Sequence, residues 1–174
     1  MTHVLVEAER NIKIVAENSL VANLFSIKNY AIKENFMDSI VFEDNINVDE
    51  FLEVIASVGF KTYPKEQVEK ALKNTMYMTK AILDGKVVGI GRVVGDFSIV
   101  CCLTDICVRP EYQKMGIGLK IVKRLKEMVE NGVQEGEKMQ IELTPTAGNE
   151  EFYKKAGFKY KPEVITGMYL WIKK

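Results

Sequence analysis

Residues 97–132 constrain the fold more than any other stretch. They read FSIVCCLTDICV, then RPEYQKMGIG, then a run ending in Asn131-Gly132. The first segment is apolar, rich in β-branched residues and short, which predicts a buried strand. The last carries Ile117, Ile121, Val122, Leu125, Met128 and Val129 at helical spacing, so it predicts an amphipathic helix closed at Asn131-Gly132. Between them lie Gly116 and Gly118. A strand passing through a glycine-bearing loop into a helix leaves the first helical N–H groups without partners, all pointing one way. With the helix dipole they make a place for an anion. Glycines there let a phosphate come close, and Lys114 and Lys120 can add charge. The GxxxxGK[ST] spacing of a nucleoside-triphosphate loop is absent. Glycine spacing by itself leaves open a plain strand-to-helix turn with no ligand.

The flanking sequence places this unit in one mixed domain. Ser39–Glu43 reads as a strand. Asn47 caps a helix with Val48, Phe51, Leu52, Ile55 and Val58 on one face, ended by Gly59. Pro64 opens a second helix. MYMTKAIL and KVVGIGRVV flank Asp84-Gly85, a hairpin signal. MQIELT predicts a strand, and Asn149 caps a short helix closed by Gly157. Two strands follow, Phe158–Tyr160 and GMYLWIK. The expected class is α+β, or mixed α/β, with a sheet flanked by helices. Residues 1–36 form an N-terminal extension of uncertain structure, a hairpin or a helix capped at Ser19; residues 37–174 form the single domain. Gly89, Gly91 and Gly95 imitate a dinucleotide fingerprint. They lie inside a strand followed by another strand, so they are expected to allow bulges or close backbone approach.

Bulk properties exclude several classes. Lys plus Arg and Asp plus Glu stand at 24 each. A formal charge of zero predicts no nucleic-acid or anionic-membrane partner, apart from a basic stretch at 114–126. No apolar run is long enough to span a membrane, and no signal peptide is read at the start, so the cytoplasm is the expected location. Cys101, Cys102 and Cys107 cluster in one apolar run. They read as small buried hydrophobes in a reducing compartment rather than a disulfide or metal set. No metal is expected. The only histidine is His3.

Val108, Pro110, Gln113, Gly116 and Gly118 match the pattern V-x-P-x-x-Q/R-x-x-G-x-G/A, and FYKKAGF follows at 152–158. With the preceding hairpin LDGKVVGIGRVVGD, this resembles the GNAT superfamily of N-acetyltransferases over about residues 38–172. The resemblance implies a central, mostly antiparallel sheet with splayed parallel central strands. It implies acetyl-CoA as donor. Backbone groups of Ile106, Cys107 and Val108 would pair with the pantetheine arm and polarise the thioester. N–H groups across Gln113, Lys114, Met115, Gly116, Ile117, Gly118 and Leu119 would hold the pyrophosphate, with Lys114 and Lys120 adding charge. Asn149 and Phe152 would approach the pantetheine. Tyr153 would protonate the departing thiolate, and Asp105, acting through a water, is the leading base. Glu142 is the other carboxylate in reach. At Cys102 the histone-acetylating members place a glutamate, which argues against their mechanism. A covalent route through Cys107 is disfavoured, because no base adjoins it. The expected acceptor is a small-molecule amine, with Phe60, Tyr63 and Tyr77 lining its pocket and Asp96 or Glu142 meeting its ammonium. A protein acceptor and a non-catalytic acetyl-CoA-binding domain are the rivals. Many members pair, so a homodimer is one expected assembly.

Overall fold

A computed structural model describes residues 36–161 and 164–173. The chain divides into two compact units, Met1–Ser39 and Ile40–Lys174. The extension's alternative structures lie almost wholly outside the described residues. The second unit is built on one seven-stranded sheet in the order β1-β2-β3-β4-β5-β7-β6. Its strands are β1 (Val41–Glu43), β2 (Tyr77–Leu83), β3 (Lys86–Gly95), β4 (Val100–Val108), β5 (Lys138–Leu143), β6 (Lys159–Lys161) and β7 (Val164–Lys173). Only the central pair, β4 and β5, is parallel; the other neighbours are antiparallel.

Local chemistry explains most of the element boundaries. Helix α1 (Val48–Ser57) starts at Asn47, whose side chain accepts from the Glu50 N–H at 2.9 Å, while the Glu50 carboxylate accepts from the Asn47 N–H at 2.8 Å. Such a reciprocal cap satisfies two otherwise orphaned donors. Helix α2 (Lys65–Lys73) follows Pro64. The β2–β3 hairpin turns at Asp84 and Gly85, with φ of 50° and 74°. Both central residues being left-handed is what a two-residue hairpin needs, and Asp-Gly supplies it.

Two layers of helix cover the sheet. Helix α3 (Ile117–Gly132) buries Ile117, Ile121, Val122, Leu125 and Val129 against β2, β3 and β4. On the opposite face, α1 and α2 bury Phe51, Val54, Ile55, Val68 and Leu72 in a cluster with Ile90 and Cys107. Ion pairs hold α1 in place: Glu50 with the buried Lys80 at 2.7 Å, Glu53 with Arg109 at 3.0 Å, and Asp49 with Lys65 of α2. The short α4 (Glu150–Lys154) ends at Gly157, φ 95°. Among the described residues, no helix is long and apolar enough to cross a membrane.

Two local expectations are corrected. Strand β4 begins at Val100, not Phe97. Asp96 Oδ1 accepts the N–H groups of Ser98, Ile99 and Val100, which curls that segment into a turn. Gly132 does not end α3 as a left-handed cap. It is the last helical residue, and a Cβ there would lie 2.5 Å from the Tyr77 hydroxyl. The glycine is needed for that close approach.

Candidate active site

The site begins with an irregularity in β4. Gly89 and Ile90 pair with Val108 and Cys107, but Arg92 and Val93 pair with Thr104 and Leu103. One extra residue is therefore held in β4, at Asp105–Ile106, opposite Gly91. Asp105 takes φ of 51°. A left-handed residue in a bulge bends the strand and re-aims the side chains beyond it. Gly91 makes room. A Cβ on it would lie 2.7 Å from Ile106 Cδ1 and 2.6 Å from Ile121 Cγ2, which is overlap. The glycines that imitate a nucleotide fingerprint thus serve a bulge and a close helix contact.

The two central strands part beside the bulge. The parallel ladder joins Val100, Cys101 and Cys102 to Gln140, Ile141 and Glu142. Strand β4 runs on to Val108 while β5 ends at Leu143. The backbone from Ile106 to Val108 therefore borders an opening rather than a β5 neighbour. This is the splay into which an extended, amide-bearing chain could add hydrogen bonds.

The glycine loop stands at the end of that opening. Arg109 N–H donates to the Val88 carbonyl at 2.9 Å, and Gln113 Nε2 donates to the Val108 carbonyl at 2.9 Å. Lys114 and Gly116 both have positive φ, 64° and 103°. The chain then enters α3, where the Lys120 N–H makes a helical bond to the Gly116 carbonyl. The N–H groups of Ile117, Gly118 and Leu119 precede it in the first turn and lack intrahelical acceptors, as at any helix start. Gly118 sits where a Cβ would meet Phe152 Cζ at 3.3 Å and Val108 Cγ2 at 3.5 Å. Strand β4, α3 and α4 thus converge on one glycine. Ile117 is buried, so it can offer only its backbone; Met115 is exposed. Lys120 departs from expectation. It lies about 200° round the helix from Gly118, and its ammonium sits 6.0 Å from the Phe42 ring on the β1 side, away from Phe152. Asn149 stands at the start of α4 with an exposed side chain that makes no capping bond.

Tyr153 meets the donor strand. Its ring packs edge-on against Phe152 at 4.8 Å and Phe158 at 6.2 Å. Burial, and then the neighbouring Cys107, push its phenol up to about 12. Burial, and then Asp105, push the Cys107 thiol up to about 12 as well. At neutral pH Cys107 is therefore a thiol, the less nucleophilic form.

Beside the C-terminal end of α1 lies a cavity of about 360 Å³. It is lined by Ile55, Gly59, Phe60, Lys61, Tyr63 and Asp105. Phe60 and Tyr63 are about half exposed at its wall. Three residues expected at the acceptor pocket do not line this cavity. Tyr77 is not in this cavity: its ring packs on Phe97 at 6.0 Å and its hydroxyl reaches Gly132, at the far end of α3. Asp96 is occupied by its own turn, whose three N–H bonds hold its carboxyl below the usual range. The cavity lining does not include Glu142. That residue stands across the ladder from Cys102 and accepts a hydrogen bond from Gln140 Nε2. Together with burial, Glu142 and Asp105 raise the Cys102 thiol.

Sequence reasoning missed Arg92. Its Nε and Nη2 grip Asp105 Oδ2 at 2.7 and 2.6 Å. The only signal was a lone arginine within the apolar run KVVGIGRVVG. The Asp105 carboxylate is thus a counter-ion first, which weakens its expected role as base.

Comparison with known proteins agrees with this geometry. The family profile of the acetyltransferase (GNAT) domain matches residues 74–160, half of the chain. The chain is 27% identical over 155 residues to the uncharacterized N-acetyltransferase ycf52 of Pyropia yezoensis, covering 83% of this chain and 87% of that one. It is 25% identical to the chloroplastic GCN5-related N-acetyltransferase 2 of Arabidopsis thaliana, over 86% of this chain and 65% of the relative. A crystal structure of a probable acetyltransferase from Staphylococcus aureus superposes with a TM-score of 0.64, at 22% identity, over 72% of this chain and 94% of that one. The chain belongs to the GNAT superfamily of N-acetyltransferases, and it is an acetyltransferase whose family takes acetyl-CoA as donor.

Proposed function

We propose that this enzyme moves the acetyl group of acetyl-CoA to a small primary amine by direct attack within a ternary complex. The observation that carries the acceptor class is the cavity of about 360 Å³ beside the bulge, with Phe60 and Tyr63 as walls and Asp105 within it. That volume falls in the range of small-molecule sites, and aromatic walls with a carboxylate suit an amine with an apolar body. A cavity on one face of β4 and a splay on its other edge let acceptor and donor meet across one strand.

Each residue then has a stated task. The N–H groups from Gly116 to Leu119 receive the pyrophosphate. Asn149 and Phe152 flank the pantetheine arm, and the backbone of Ile106, Cys107 and Val108 receives its amides and the thioester carbonyl. Asp105 steadies the ammonium of the acceptor. The ammonium loses one proton toward solvent, the neutral amine attacks the carbonyl carbon, the attacking nitrogen releases its second proton to solvent as the C–S bond breaks, and Tyr153 donates a hydrogen bond to the leaving thiolate. The proposal includes a reducing compartment such as the cytoplasm, in keeping with three free cysteines.

Thiol release from acetyl-CoA should be followed against aliphatic amines, arylalkylamines and lysine- or N-terminal peptides. We expect arylalkylamines to give the highest kcat/KM. Turnover confined to peptides would overturn the small-amine reading. Binding of acetyl-CoA without turnover of any amine would make the domain a non-catalytic binder.

A further inference from the structure

Arg92 lies in the middle of β3, only 12% exposed in its side chain, and every part of its head is engaged. Nε and Nη2 both meet Asp105 Oδ2. Nη1 donates to Thr75 Oγ1 at 2.8 Å and points to the Ala71 carbonyl at 3.5 Å, at the C-terminal end of α2. The guanidinium lies 5.4 Å from the Phe51 ring of α1. A planar fork with five donors suits this task, and the carbonyl end of a helix favours a cation. Two helices thus fix one cation, and that cation fixes one carboxylate.

The carboxylate belongs to the residue that makes the bulge. Asp105 is held at φ 51°, where a side-chain-bearing residue is uncomfortable, although aspartate tolerates it better than most. The residues after it carry the backbone assigned above to the donor. From these observations we propose that Arg92 is a positioning residue for the donor thioester, acting through Asp105 to hold the bulge that aims Ile106 and Cys107. Arg92 touches neither substrate. The inference deepens the proposed function and rests on its assignment of the β4 backbone to the thioester.

The test separates the clamp from that assignment. Glycine takes the left-handed conformation without strain, so Asp105→Gly makes the bulge independent of Arg92. Two readouts are taken on the full chain: amide hydrogen exchange at residues 105–107, and the ratio of acetyl-CoA to CoA affinity by calorimetry. Arg92→Met should speed exchange there at least fivefold and shrink the affinity ratio about fivefold, the worth of one ordinary hydrogen bond. The double variant Arg92→Met/Asp105→Gly, which removes both charges of the pair, should return both readouts to within twofold of wild type. If Arg92→Met does not fold, Arg92→Lys replaces it, since one ammonium cannot bridge Asp105 and Thr75 as the fork does. Unchanged exchange in the single variant overturns the clamp. So does a double variant as impaired as the single one, because Arg92 would then act by another route. A wild type that does not distinguish acetyl-CoA from CoA overturns the thioester assignment instead, and exchange then judges the clamp alone.

Discussion

Tyr153→Phe removes the one oxygen that the proposed mechanism sets beside the leaving thiolate. The ring keeps its contacts with Phe152 at 4.8 Å and Phe158 at 6.2 Å, so the fold should lose little. The hydroxyl is the variable. Burial has pushed the phenol to about 12, while an ordinary thiol stands near 8.5. Complete proton transfer to the departing thiolate is therefore uphill by roughly 3.5 units, about 5 kcal/mol. In the proposed mechanism the phenol instead stabilises the thiolate by a charge-assisted hydrogen bond, which would contribute roughly 1.5–3 kcal/mol. That converts to a loss of about 10- to 150-fold in kcat. The assay is thiol release at saturating acetyl-CoA and amine, with thermal melting as control. We expect kcat to fall by that factor, the acetyl-CoA KM to change by less than about threefold, and the melting temperature to hold within about 2 °C. A kcat within about threefold of wild type would refute the reasoning.

Two more outcomes are expected from the same geometry. Because Asp105 is gripped by Arg92 and the sequence's only histidine is His3, log kcat/KM for the amine should rise with a slope near one from about pH 6 to 9. The acceptor itself, with a pKa near 10.4, is then losing its proton. The raised Tyr153 phenol keeps its proton below about 12, so it adds no falling limb in that window. A plateau between about pH 6 and 8 would reveal an enzyme base and refute the solvent route. Gly116→Ala forces a Cβ onto a residue at φ 103°, at a cost of about 1–3 kcal/mol. The acetyl-CoA KM should rise roughly tenfold with little change in the amine KM, and an unaltered acetyl-CoA KM would remove the helix start from donor binding.

Much of the fold was legible because short-range chemistry decides it. Asn47, Asp84-Gly85, Gly59 and Gly157 each mark a boundary by what their own backbone or side chain must do. The glycine loop was legible for the same reason, as a local motif between a strand and a helix. What escaped was set by partners distant in sequence. Gly132 resembles a helix cap from its neighbours, yet Tyr77, far back in the chain, explains it. Tyr77 was assigned to the acceptor pocket by analogy with the family's fold, but its side chain packs on Phe97 and reaches Gly132. Arg92 was invisible for a related reason. A half-buried arginine within an apolar strand makes sense only once Asp105, Thr75 and Phe51 surround it.

The bulge also changes how β4 must be counted. Ahead of it, Cys101 and Leu103 pair with Gly95 and Val93, and Cys102 and Thr104 pair with Val94 and Arg92. Arg92 reaches the α1 side, so odd positions of β4 face α3 and even ones face α1. Past it, Ile106 and Val108 meet Gly91, Gly89 and α3, while Cys107 joins the cluster under α1. Odd and even have exchanged sides. A strand of plain alternation would bury Val108 under α1 and turn Cys107 toward α3, away from the acceptor face. Removing a single residue between Thr104 and Cys107 would therefore rewire the site rather than shorten it. Length in this segment is as binding as residue identity, and homologous strands aligned without regard to the inserted residue would have their donor and acceptor faces transposed.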